Sequence, residues 1–94
     1  MTRPIALLAA GLIALATPAL AADRHEVYGV AEDDMLKMRA GPGTGYDVIV
    51  GLPNGAEVLV RDCERTGSTV WCRVSLRQAR GLKGYVSKAY IREK

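Results

Sequence analysis

Leu36-Lys37-Met38-Arg39-Ala40-Gly41-Pro42-Gly43-Thr44-Gly45-Tyr46 is the stretch that decides the fold. Leu36, Met38 and Ala40 alternate with Lys37 and Arg39, the two-residue period of a strand with one buried face. A helix capped by Asp33 is the competing reading, and the alternation together with Gly41-Pro42 limits it to a single turn. After Ala40 the chain has to bend. Pro42 fixes its own φ, and Gly43 is expected to supply the positive φ that the third position of a type II turn requires. Arg39 closes the strand. Its stem is expected to pack and its guanidinium to hold carbonyls of the loop, since a tight turn leaves carbonyls to satisfy. The rival use of Arg39 is an anion contact.

Short β-rich segments extend outward from this stretch. Upstream, Val27-Tyr28-Gly29-Val30 reads as a first strand, preceded by a polar, frayed Ala22–Glu26 in which His25 is a solvated terminal residue. Glu32-Asp33-Asp34 lacks the alternate spacing of a calcium loop and reads as a solvated turn. Downstream, Asp47–Leu52 is a strand broken by Pro53-Asn54-Gly55, a hairpin-turn signal. Ala56–Asp62 follows with Val58 and Val60 on one face. Val70–Leu76 is its partner, with Cys72, Val74 and Leu76 on one face and Trp71, Arg73 and Ser75 on the other. Cys63 is out of phase with Val58 and Val60, whereas Cys72 is in phase with Val74. A one-residue bulge near Asp62 resolves the conflict; otherwise Leu59 faces the core with Cys63. Arg77–Lys83 is a basic turn, Gly84-Tyr85-Val86 a short strand, Ser87–Tyr90 a 3₁₀ turn, and Ile91 begins a last strand.

Strands joined by short turns, with no long helical pattern, predict a small all-β barrel. At these residues the chain resembles the bacterial SH3 (SH3b) family. The resemblance rests on Leu36–Tyr46, on Val48-Ile49 with Leu52-Pro53-Asn54-Gly55, on Trp71 through Val74, on Gly84-Tyr85-Val86-Ser87, and on Tyr90-Ile91. It covers about Val27 to Ile91. Lys37 stands where the family usually has Asn, and Tyr85 where it usually has Trp. The resemblance implies an SH3-like barrel of five to six short strands with one 3₁₀ turn near the C-terminus.

Met1–Ala21 reads as a cleaved export leader: Arg3, the apolar run Ile5–Ala16, then a small-x-small site ending at Ala21. An uncleaved membrane anchor is the alternative, disfavoured by Pro18 and by the lack of a prompt basic stop. The expected domain is then Ala22–Lys94, in the periplasm or secreted. It has no Phe and one Trp, so its core is small and an added constraint matters. Cys63 and Cys72 are an even pair in an exported chain, and a structural disulfide is expected. Their spacing does not fit a Cys-x-x-Cys redox pair, and two thiols with one distant His make a poor metal site.

Charge is split along the chain. Ala22–Glu64 carries four basic and nine acidic residues, and Arg65–Lys94 carries eight basic and one acidic. Interleaving in a barrel mixes these charges. The sharper alternative is a basic patch of Arg73, Arg77, Arg80 and Lys83, with Lys88, suited to an anionic surface. Export argues against nucleic acid as the partner. No nucleophile has a base beside it, and Gly-Pro-Gly-Thr-Gly lacks the lysine and helix of a phosphate loop. The expectation is a binding module without catalysis, cofactor or metal. The SH3b resemblance implies contact with peptidoglycan or its stem peptides, or else with an envelope protein for which this chain is an adaptor or inhibitor. It places the groove beside the glycine-rich loop, with Gly43, Thr44, Tyr46, Trp71 and Tyr85 as ligand-binding candidates. Trp71 and then Tyr46 lead among these, and Tyr85, like Tyr90, is read more readily as core or rim.

Overall fold

The alternation that sequence predicts for Leu36–Arg39 is present in the computed structural model, which describes residues 23–94. Leu36 and Met38 are buried, Lys37 is exposed and Arg39 is half-buried. Seven strands form: β1 (Asp23–Val27), β2 (Leu36–Arg39), β3 (Val48–Leu52), β4 (Glu57–Thr66), β5 (Thr69–Leu76), β6 (Lys83–Ser87) and β7 (Ile91–Glu93). A 3₁₀ turn, Lys88–Tyr90, joins the last two. The strands make one antiparallel sheet in the order β3-β2-β6-β5-β4-β1-β7.

Every strand contributes to one buried cluster: Val27, Leu36, Met38, Leu52, Val58, Cys72, Val74, Val86 and Ile91. A flat sheet cannot bring β3 and β7, its two ends, onto a shared core, so the sheet curls around it. The hydrogen-bond ladder does not close between those ends. The fold is therefore an all-β, open barrel.

Three expectations need correction. Among the described residues there are seven strands, as many as the β-rich segments read along the sequence and more than the five to six the resemblance implies. Residues expected to fray form β1, which inserts between β4 and β7. Glu26 holds it there through Arg92 at 2.9 Å. The predicted first strand ends at Val27 instead of starting there, since Gly29 takes φ 76°, which a continuing strand does not allow. His25 accordingly lies half-buried in β1 opposite Val58 and Glu93. Third, Gly43 is not left-handed. Its N–H donates to the Gly41 carbonyl across Pro42 at 2.9 Å, a three-residue turn that suits proline's φ. Met1–Ala21 lies outside the described residues.

The phase conflict before Cys63 resolves through a bulge. Val60 pairs with Val74, yet Asp62 pairs with Arg73, so Arg61 is the extra residue. The bulge turns Cys63 to the face of Val58 and Val60, directly opposite Cys72, with Cα atoms 4.0 Å apart and the disulfide formed.

Candidate functional site

The outward faces of β2, β6 and β5 carry the polar and aromatic side chains that the core rejects. Register fixes two rows across them. Arg39, Tyr85 and Arg73 lie side by side, and Ser87 lies beside Trp71. The chain between β1 and β2 folds over the second row, and the 3₁₀ turn flanks it. Between them is a surface cavity of about 540 Å³, walled by Val30, Met35, Lys37, Arg39, Trp71 and Tyr90.

Three features set this geometry. Arg39 Nη1 donates to the carbonyls of Thr44 at 3.1 Å and Tyr46 at 3.0 Å, which is the carbonyl-holding role expected of it. The same residue also lines the cavity. Asn54, in the turn before β4, donates to the Val30 carbonyl at 2.7 Å and accepts from Val30 N–H at 3.1 Å. That turn closes with Ala56 N–H on the Pro53 carbonyl, and Gly55 sits at its third position with φ 91°. At the mouth, Asp34 is 3.7 Å from Lys37 and also accepts from Met35 N–H at 2.7 Å.

Of the expected ligand residues, Trp71 and Thr44 line the cavity. Trp71 is 6% exposed, so it is a wall held by the fold and not a free-standing aromatic. Gly43, Tyr46 and Tyr85 are not among the lining residues. Tyr46 is 51% exposed and folds its ring back against Gly41. Tyr85 is half-buried between Arg39 and Arg73 in register. Sequence reasoning did not single out Met35 and Asn54, and it left Tyr90 at core or rim. Met35 precedes its strand, and Asn54 acts only through tertiary contact, so alternation marks neither.

The basic residues divide. Arg73 bonds Asp62 at 2.7 Å and Arg77 lies 3.3 Å from Glu57. Arg80 and Lys83 are exposed and form no ion pair among the described residues. Glu57 also meets Lys94 Nζ at 3.1 Å. The Lys94 hydrogen bond holds the Glu57 carboxyl below the usual carboxylate range, and Glu57 in turn raises Lys94.

The family described as bacterial SH3 domain matches residues 34–92. Uncharacterized protein YraJ of Bacillus subtilis (strain 168) is 28% identical over 97% of this chain and 85% of its own length. Putative N-acetylmuramoyl-L-alanine amidase YrvJ of the same organism is 37% identical over 63% of this chain, which spans 10% of that protein's length. No solved structure matches the chain.

Proposed function

The chain belongs to the bacterial SH3 domain family, and on that premise we propose that it is a non-catalytic, exported module that recognises peptidoglycan through its stem peptides. The observation that carries this reading is the cavity itself. Trp71, Met35 and Tyr90 supply apolar surface, and Lys37, Asp34 and Arg39 supply charge at the same site, the mixture that a short peptide with alternating charges and methyl groups requires. The similarity of residues in this domain to part of a putative N-acetylmuramoyl-L-alanine amidase supports the wall as the target. Both cysteines are bonded to each other and the sole histidine is not a cavity residue, which supports binding in place of catalysis. The disulfide and the leader reading of Met1–Ala21 support a periplasmic or secreted setting.

The test is co-sedimentation of the oxidised protein with intact peptidoglycan sacculi at two salt concentrations. The variant for comparison is Met35→Ser/Tyr90→Ser, whose side chains are 51% and 43% exposed as residues and so can change without emptying the core. Saturable binding that survives salt and falls about tenfold or more in the variant is expected, since two aromatic or thioether contacts are lost. Binding that disappears with salt and ignores the variant would transfer the role to Arg80 and Lys83. Absence of binding would sink the wall reading. The second reading, docking on an envelope protein, is favoured by Tyr46, Val48 and Ile49, exposed apolar residues on or beside the end strand β3.

A further inference from the structure

Lys37 and Arg39 occupy successive outward positions of β2, and both line the cavity. Asp34 is the only carboxylate among the lining residues. It is already engaged, by Lys37 at 3.7 Å and by Met35 N–H at 2.7 Å. The cavity is thus left with an excess of positive charge. Its remaining polar groups are mostly able to donate: the hydroxyls of Thr44, Thr69, Ser87 and Tyr90, and the indole of Trp71. Arg39 spends only Nη1 on the loop carbonyls. Its Nε and Nη2 form no hydrogen bond among the described residues. The bonds through Nη1 fix the guanidinium plane, so these donors are pre-oriented. The indole Nε1 of Trp71 has no partner among the described residues and is not one of the buried unpartnered atoms, so it meets solvent.

Held donors and surplus positive charge beside apolar walls suit a carboxylate attached to a small apolar group. We infer that the cavity captures the C-terminal carboxylate of a short peptide, with Arg39 and Lys37 as the charged contacts and Trp71 and Met35 against the terminal side chains. This rests on the stem-peptide reading and narrows it to one end of the peptide. Arg39 makes the charge-assisted contact through the edge not used by the loop. Lys37 adds charge, and Asp34 tempers it. The two acid–base neighbours therefore act in opposite directions on the same ligand, which a purely structural role of either does not produce.

The experiment is titration of the oxidised protein with N-acetyl-Lys-D-Ala-D-Ala, as free acid and as C-terminal amide, by isothermal calorimetry, alongside sacculus sedimentation. The free acid is expected to bind at least tenfold tighter than the amide. Lys37→Gln should narrow that ratio, and Asp34→Asn, which keeps the acceptor for Met35 N–H, should widen it. Circular dichroism confirms folding of each variant, and Arg39 is left intact because it also holds the loop. Equal affinity for acid and amide overturns the carboxylate inference while leaving the groove in place. Sacculus binding with no affinity for either peptide also overturns it and leaves wall recognition standing on other contacts. Failure to bind peptides and sacculi alike overturns both.

Discussion

Asn54 brackets Val30: its side-chain amide donates to the Val30 carbonyl at 2.7 Å and its amide oxygen accepts from Val30 N–H at 3.1 Å, across 24 residues of chain. The two bonds pin a wall of the cavity to the Pro53–Ala56 turn, which is not the hairpin its Asn-Gly pair predicts, because β3 pairs with β2 and β4 with β1 and β5. Asn54→Ala should cost about 1–2 kcal/mol in chemical denaturation, the net worth of two partly exposed hydrogen bonds. Asn54→Asp keeps one acceptor, loses the donor, and should fall between. Hydrogen exchange at Val30 distinguishes loss of this tie, which accelerates it, from a defect confined to the turn, which leaves it unchanged.

Gly41 is glycine because of Tyr46, not because of its own φ, which is not left-handed. A Cβ at Gly41 would collide with the Tyr46 ring. Gly41→Ala should destabilise by about 1–3 kcal/mol, the usual range for overpacking. In a Tyr46→Ala background most of that cost should vanish, giving a coupling energy in a double-mutant cycle. Additive effects would mean that the steric reading is wrong.

Much of this fold was legible in the residues because it is written in two-residue alternation. Leu36 and Met38 and the Cys72–Val74 face follow from counting phase along the strands; counting also exposes the conflict at Cys63, but only the register chooses the bulge over Leu59 facing the core with Cys63. The order of β1 was not legible, because it comes from ladders to β4 and β7, strands far along the chain. The loop's shape was missed for a different reason. Pro42 permits both a type II turn and the three-residue turn found, and Arg39 bonding to Thr44 and Tyr46 accompanies the second. Parity puts Trp71 on the face opposite Cys72 and Val74, and it lines the cavity. Met35 and Tyr90 sit at element ends, where no period applies, and only the tertiary fold brings the β1–β2 connection and the 3₁₀ turn to either side of Trp71.

Arg39 stabilises the loop through charge-assisted bonds to neutral carbonyls. Arg39→Ala should lower stability by about 1.5–3 kcal/mol. It should also speed amide exchange at Tyr46 and Ala40, whose N–H groups bond Gly43 and Asp47 carbonyls within the loop. Exchange that rises equally across β4 and β5 would instead indicate global unfolding alone.

Cys63 and Cys72 join the strands of the β4–β5 hairpin nine residues apart, and Cys72 is 1% exposed in the core. Closing so short a loop constrains the unfolded chain by about 2.7 kcal/mol in the entropy account. The double variant Cys63→Ala/Cys72→Ala should lose about that much, measured by urea denaturation against the oxidised protein. A loss under about 0.5 kcal/mol would show that the hairpin persists when the chain unfolds, leaving the bridge little to constrain.

Glu26 and Glu57 face each other across β1 and β4, a like-charge pair that Lys94 bridges at 3.7 Å and 3.1 Å. Glu57 is held below its ordinary carboxylate value chiefly by its hydrogen bond to Lys94. A carboxyl whose pKa is lower folded than unfolded binds more protons when unfolded, so its stabilisation is complete above the ordinary value of 4.5 and is lost as pH falls through the folded value. Lys94, raised by the same contact, gives stabilisation that is complete below 10.5 and is lost as pH rises through its folded value. Lys94 is exposed and Glu57 half-buried at the surface, so salt weakens the pair. Lys94→Gln should flatten the acid limb of a plot of Tm against pH, and it should reduce the difference between low and high salt near neutrality. An acid limb unchanged in the variant would show that the Glu57–Lys94 contact does not set the acid sensitivity.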